Sequence, residues 1–458
     1  MKIRLIYIIM AVLMCGVAQA QERVLTLSEC EALAQSNDPY VRNAELDVLA
    51  ARAQKEEALG EYFPSVSATA MAFHALNPFI DLGVTDILGT SDNAWNISNY
   101  VDQMAPQYDL PTRYRALQYG YGATVSVTQP LFAGGRIING NRLASLGIEA
   151  AQLQQNLRHR ETGVQVGQKY WLVVSLQEKK KTLEEASATL KSLEKDVQAA
   201  REAGVMTDSD VMMIRLRSSE LRSAELQLMG GMRLAKMDLF NAIGIAYSTV
   251  QATADGDRPF IDDIVMDDDL SGLQSPLTYY VPEEELAAKM DETRLLALQV
   301  EAKELQKKMT IGETLPEVGM GAMYGYGKTI GDGRMNGAVY AMVKIPISDW
   351  GKASKRIRRY GYEVEKARNE QEYLESQLLL RARQLWVNLT TAWEQLQVAE
   401  QSVEYARDVY ERQRMSFSAG LVTMSELLQT QTSLRQSEDS YVDQCIAYRQ
   451  ALCEYQLK

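Results

Sequence analysis

Histidine is nearly absent: the 458-residue chain holds two, His74 and His159, beside four cysteines. A catalytic zinc site or a His-dependent triad therefore has almost nothing to be built from. The motifs H-E-x-x-H, G-x-S-x-G and C-x-x-C do not occur. Gly327-Lys328-Thr329 does not complete a phosphate loop, which needs glycine where Ala322 stands and a helix where a hairpin turn follows. The sequence thus predicts no enzyme activity, no metal site and no cofactor. Basic residues are outnumbered, 48 against 60 acidic ones, for a net charge of −12. Phosphate backbones require a basic face, so nucleic acid is not the expected partner. Beyond the N-terminus no run of eighteen apolar residues occurs, so any membrane crossing has to be made by strands. Proline is scarce too, with none between Pro130 and Pro259 and none after Pro346.

Residues 1–20 read as an address. Lys2 and Arg4 start it, Ile6 to Val17 is apolar, and Ala18-Gln19-Ala20 is a small-x-small cleavage site. Met14 stands where a small residue would precede a lipidated Cys15, which favours a secretory signal peptide over a lipid anchor. Cys445 and Cys453, eight apart on an expected helix, are roughly 12 Å apart along its axis and too far to pair. Together with Cys30 they are expected as buried thiols.

What the chain does contain is written twice. Pro130 and the Gly135-Arg136 pair return as Pro346 and Gly351-Lys352, and Ala203-Gly204-Val205 returns as Ala419-Gly420-Leu421, all at an offset of 216. Gly60 and Pro64 return as Gly312 and Pro316 at an offset of 252, so the first copy carries about 36 extra residues. The repeats are expected at 21–250 and 282–458, joined by an acidic linker at 251–281. Within it, Asp255 to Asp269 holds seven Asp and reads as a solvated connection, since EF-hand spacing is missing. Each copy reads as helix, hairpin, very long helix, tight turn, helix. The first helix is expected to open on a capping box at Ser28-Glu29-Cys30-Glu31, and its counterpart after Pro282 on Glu283, Glu284 and Glu285.

The long helices are expected over 136–203 and 352–419, 68 residues each. At 1.5 Å per residue each reaches about 100 Å. The second carries Leu374, Leu378, Ala382, Leu385, Leu389, Ala392, Leu396, Ala399, Val403, Ala406 and Tyr410 at steps of three and four, a coiled-coil seam narrow enough for close neighbours.

Strands are expected at about 64–72 and 119–132 in the first copy and 317–327 and 337–348 in the second, with an outward loop at 73–118 in the first hairpin. Val318, Met320, Ala322, Tyr324 and Tyr326 share one face, and Val339, Ala341 and Val343 alternate with Tyr340, Met342 and Lys344. Val125 and Val127 alternate with Thr124, Ser126 and Thr128. Segments of about ten such residues match strands that cross an outer membrane. Tyr62, Phe63, Tyr119, Tyr121, Phe132, Tyr324, Tyr326 and Trp350 cluster at their ends, where aromatic girdles sit. Four strands cannot close a barrel, and open edges are not tolerated in lipid, so a membrane reading requires several chains.

The repeated helix–hairpin–helix plan, Gln129-Pro130-Leu131-Phe132-Ala133-Gly134-Gly135-Arg136 and the Ala-Gly-Leu-Val-Thr turn at Ala419 to Thr423 resemble the TolC family of outer-membrane efflux proteins. The resemblance covers nearly all of the mature chain. It implies a mainly α fold with a membrane β part, in which a homotrimer pools twelve strands into one β-barrel above a periplasmic α-helical barrel. It implies a location in the outer membrane reaching into the periplasm, outer-membrane lipid as surroundings, and export served by an inner-membrane pump through a periplasmic adaptor. By the same resemblance Gly204, Val205, Thr207, Gly420, Leu421 and Thr423 form the adaptor-docking tips, with Thr207 or Asp208 and Thr423 capping the following helices. Asp210 and Glu426 fall where the family narrows its periplasmic aperture, where like charges around a three-fold axis raise carboxyl pKa values. Gln429 stands where a second acid is usual, and Phe417 and Val422 replace polar types. The rival reading is a periplasmic coiled-coil scaffold or adaptor.

Overall fold

A computed structural model describes residues 23–109, 111–253, 258–267, 270, 272–328 and 332–456. The expected signal peptide and Thr329 lie outside the described residues. The first repeat comprises β1 (Arg23–Leu25), α1 (Leu27–Asn37), α2 (Pro39–Gly60), β2 (Ser65–His74), an insert, β5 (Tyr119–Ala133), α5 (Arg136–Glu202) and α6 (Asp208–Ile243). The insert contains β3 (Ile80–Gly83), α3 (Val84–Leu88), α4 (Asp92–Met104) and β4 (Arg113–Ala116). After β6 (Ile264–Met266), the second repeat comprises α7 (Glu283–Lys289), α8 (Asp291–Gly312), β7 (Glu317–Lys328), β8 (Arg334–Lys344), α9 (Lys352–Ser418) and α10 (Met424–Gln456). The last strand runs over 334–344 rather than 337–348, because Pro346 cannot donate to a ladder and ends the pairing before it. The first capping box uses Thr26, not Ser28: the Glu29 carboxylate accepts from the Thr26 N–H at 3.1 Å while the Thr26 hydroxyl accepts from the Glu29 N–H at 3.4 Å.

Compactness does not follow the repeats. One unit consists of Met1–Leu49, Ala150–Ala297 and Glu370–Lys458, the other of Ala50–Glu149 and Leu298–Asn369. Each takes part of both copies, because the long helices leave one unit and enter the other.

The first unit is helical. Tyr170, Val173, Leu239, Phe240, Ile243, Ala382, Leu389, Cys445 and Tyr448 are among its fully buried residues. The coiled-coil seam is buried at Ala382, Leu385, Leu389, Ala392, Leu396, Ala399 and Tyr410, while Leu374 is 40% exposed. The acidic connection is not simply solvated. Ile261 and Ile264 are fully buried, and β6 pairs in parallel with β1, joining the connection between the repeats to the start of the first one. The Gln177 side chain closes this joint from α5, donating to the Met266 carbonyl at 3.2 Å and accepting from its N–H at 3.1 Å. The apolar residues between the Asp groups, Ile261, Ile264 and Met266, decide the outcome over composition.

Lys236 on α6 anchors this stretch. It is 2% exposed, and its Nζ donates to the carbonyls of Ile261 at 3.1 Å, Asp262 at 3.5 Å and Ile264 at 2.5 Å. Arg233 grips the Asp262 carboxylate beside it, with Nε at 2.9 Å from Oδ1. Burial pulls the Lys236 pKa below 10.5, against the opposing pull of the Asp262 charge. The unfolded chain thus binds this proton more tightly. Its contribution to stability rises with pH through the window between the lowered value and 10.5. Lys236→Met leaves three carbonyls without their donor and is expected to remove about 3 kcal/mol, read as a lower thermal midpoint of the purified protein. An unchanged midpoint would show the anchor to be dispensable.

The second unit is built on a four-stranded antiparallel sheet of order β2-β5-β7-β8. Its register sorts the side chains. Thr69, Thr124, Gly325 and Asn336 stand in one row across the four strands, and Ser67, Ser126, Met323 and Ala338 in the next row on that face. Ser67 and Ser126 share a hydrogen bond at 2.9 Å, and Ser65 and Thr128 another at 2.6 Å. The opposite face carries Val66, Val127, Ala322 and Val339 in one row and Ala68, Val125, Tyr324 and Gly337 in the next. One face is therefore hydroxyl- and glycine-rich and the other apolar, as in a strand wall between water and lipid. The apolar face is uncovered in a single chain, with Val66 at 68% and Val339 at 79% exposure. Among the described residues, no helix is long and apolar enough to cross a membrane.

Candidate functional site

Two helix-turn-helix tips lie on a common apolar cluster in the first unit. Leu190 and Val197 from α5, Val211 and Ile214 from α6, Tyr410 and Phe417 from α9, and Met424 and Leu427 from α10 form it. Phe417 and Val422 therefore pack at the cluster instead of projecting from the turn. Each tip ends its long helix in the same way. Gly204 and Gly420 take φ +75° and +73°, the left-handed conformation that glycine adopts without a Cβ penalty. The Gly204 N–H donates to the Arg201 carbonyl and the Val205 N–H to the Ala200 carbonyl, both at 2.9 Å. The Gly420 N–H donates to Phe417 at 2.9 Å and the Leu421 N–H to Ser416 at 3.0 Å. These paired bonds are Schellman motifs, which satisfy the last carbonyls of the helix.

The side chains that follow point out. Val205 is 74% and Leu421 78% exposed, although this position of a Schellman motif commonly packs back on its own helix. The next helix is started by a capping box in both copies. At the first tip the Asp210 carboxylate accepts from the Thr207 N–H at 3.0 Å and hydroxyl at 2.6 Å, and the Asp210 N–H donates back at 3.3 Å. At the second, the Glu426 carboxylate accepts from the Thr423 N–H at 2.7 Å and hydroxyl at 2.9 Å, and its own N–H donates back at 3.3 Å. Asp208 is not the cap; it pairs with Arg201 at 2.5 Å. Gln429 lies exposed one turn further along α10, its carbonyl accepting from the Ser433 hydroxyl at 3.2 Å.

The capping role of Asp210 and Glu426 is readable in Thr-x-x-Asp and Thr-x-x-Glu, yet the sequence resemblance assigned these acids by charge alone. Within one chain the Glu426 carboxyl is held below 4.5, first by the Thr423 N–H and then by its hydroxyl. This is opposite to the rise expected from crowding of like charges. Its stabilising contribution is present above 4.5 and lost as pH falls through the lowered value. Glu426→Ala is expected to speed amide exchange at Met424 to Leu428 at pH 7, and the parent should approach the variant in strong acid. Equal exchange at pH 7 would remove the cap from the account.

Among the described residues no group of three or more His, Cys, Asp or Glu is placed to hold a metal ion.

The chain matches the structure of the outer-membrane channel OprN at 16% identity and a TM-score of 0.71, over 94% of this chain and 89% of that one. It matches the Vibrio cholerae outer membrane protein VceC at 14% identity and 0.67, over 94% of each chain. It matches the Campylobacter jejuni outer membrane channel CmeC at 12% identity and 0.69, over 94% of this chain and 84% of that one. At these identities the likeness is one of fold. No curated protein sequence matches the chain. Residues 293–454 match the family model described as outer membrane efflux protein. Over that part the chain is similar to the outer membrane efflux protein family, and over nearly its whole length it shares the fold of outer-membrane channels.

Proposed function

We propose that the chain is one subunit of a homotrimeric, passive channel of the outer membrane, the exit duct of a tripartite efflux or type I secretion system. Cargo is delivered by an inner-membrane pump and a periplasmic adaptor, and the chain itself catalyses nothing. The observation that carries this reading is the sheet: one polar face, one apolar face, and two edges, β2 and β8, left unpaired among the described residues of a single chain. Backbone groups on an open edge have no partner in lipid, so further copies have to supply strands until the sheet closes. Three copies give twelve strands, a barrel wide enough for a water-filled lumen.

The helices support the same reading. On α9 a second stripe, Tyr373, Leu380, Val387, Val398, Tyr405 and Val409, is 45–67% exposed and recurs at steps of seven, eleven and four residues. Such a stripe lies along one side of a helix and fits a neighbouring helix of another copy. The tips then belong at the periplasmic end, where Val205 and Leu421 meet the adaptor and Asp210, Glu426 and Gln429 lie near the aperture.

Light scattering in detergent should give the mass of three chains, and carbonate washing should leave the protein in the membrane. A stably folded monomer refutes the channel, and release by carbonate favours the scaffold. Loss of the protein should sensitise cells to exported compounds, and profiling a panel of them identifies the cargo class.

A further inference from the structure

Among its described residues, the insert between β2 and β5 has no apolar core of its own. The Arg113 Nε donates to Asp81 at 2.8 Å, Arg115 lies 3.7 Å from the same carboxylate, and the Ala75 N–H donates to the Gln118 carbonyl at 2.7 Å. What the insert buries is small: Gly83, Ala94, Ala105 and Ala116. Its large side chains are outside, with Leu76 at 95%, Phe79 at 75%, Ile87 at 67%, Trp95 at 63% and Tyr100 at 64% exposure. Scattered exposed apolar residues are normal, but this many on one short segment mark a contact surface.

Two features identify what covers it. The insert is rooted on the polar face of the sheet. Phe73 stands on that face, its ring over Gly120, and the insert's Phe79 packs against it with ring centroids 6.5 Å apart. In a membrane barrel the polar face looks toward the axis. Moreover, β2, the strand from which the insert springs, is itself the open edge where the next copy joins. Inserts of adjacent copies are thereby rooted side by side around one opening. Lipid is the poorer occupant. The insert holds Asp81, Asp86, Asp92, Asp102 and Asp109 against Arg113 and Arg115, an acidic balance unsuited to an anionic headgroup layer.

We propose that the insert's apolar side chains pack against the same segment of neighbouring copies and form an apolar constriction across the outward mouth of the pore. The inference rests on the channel reading and adds to it a second narrowing, distant in sequence from the tips. A hydrophobic ring of this kind resists water and ions by dewetting, so polar substitutions should open it.

The test uses full-length protein in outer-membrane vesicles. Leu76→Cys, Ile87→Cys and Trp95→Cys, each alone, are treated with a short bismaleimide, with the parent as the background from its own cysteines. At least one variant is expected to give chains linked through the insert. Ile87→Ser, Trp95→Ser and Tyr100→Ser combined should raise single-channel conductance in planar bilayers about twofold or more. Absence of linked chains in all three cysteine variants, or an unchanged conductance in the serine variant, overturns the proposal. So does reaction of the cysteines with a lipid-borne maleimide in place of one another. Light scattering of the parent separates the failures: a conducting trimer with silent cysteines defeats the constriction alone, whereas a monomer defeats the channel as well.

Discussion

Val205→Glu combined with Leu421→Glu is expected to abolish efflux while the assembled channel persists at its normal level. Both side chains are more than 70% exposed and stand just past a glycine that already satisfies the helix end. Neither buries much apolar area in the chain, so each change should shift folding by no more than about 0.5 kcal/mol. At a docking surface the same changes put a charge where an apolar contact is made. The loss of an interface anchor is about 2 kcal/mol or more. Two independent sites then weaken the adaptor by about a thousandfold. The readouts are drug susceptibility in a pump-dependent strain and co-purification of the adaptor. Normal resistance with both glutamates in place would dismiss the tips as docking points. Doubly substituting Val205 and Leu421 with alanine provides the milder series, in which affinity falls without added charge.

The second large effect is expected at Gly134→Ala, in the turn from β5 into α5. Gly134 has φ +62°, and a Cβ there would lie 2.8 Å from the carbonyl carbon of Gly312 and nearer still to its oxygen. Gly312 reciprocates, because its own Cβ would run into the Gly134 carbonyl oxygen and meet the Arg136 side chain at 2.9 Å. The two backbones touch at the foot of the sheet, where Arg136 pairs with Glu317 and Lys344 lies 3.7 Å from the same carboxylate. Overpacking against rigid backbone costs about 1–3 kcal/mol and left-handed strain about 1–2 more. The expected outcome is a several-fold loss of trimer from the outer-membrane fraction. The matching position in the second repeat, Trp350, also takes a left-handed conformation, at φ +56°, but is 95% exposed. Trp350→Gly should therefore be tolerated, and a similar loss there would mean that the turn, rather than the Gly134 contact, is what matters.

The long helices were legible because their signal is local and repeated: no proline, a seam at steps of three and four, and a glycine at each end. Strand alternation was legible for the same reason, and the register turned Val318 to Tyr326 into one apolar face. Asp255 to Asp269 misled because seven Asp dominate its composition, although in packing Ile261, Ile264 and Met266 prevail. The contact of Gly134 with Gly312 and the burial of Lys236 under three carbonyls join distant positions, and no window of sequence contains them. At the tips the turns were readable from Gly204 and Gly420. The acids were assigned through likeness to other chains, which hid their simpler local work as partners of Thr207 and Thr423 in the two capping boxes.

The strand order carries a consequence for heredity. Because β2 comes from one repeat and β8 from the other, the proposed closed ring would set unlike edges against each other all the way round. One chain with a spoiled edge is then enough to leave the whole circle unsealed. If half the chains in a cell carry such a defect and mix at random, only about one ring of three in eight is sound. An altered allele at either margin would behave as dominant, even beside an intact gene.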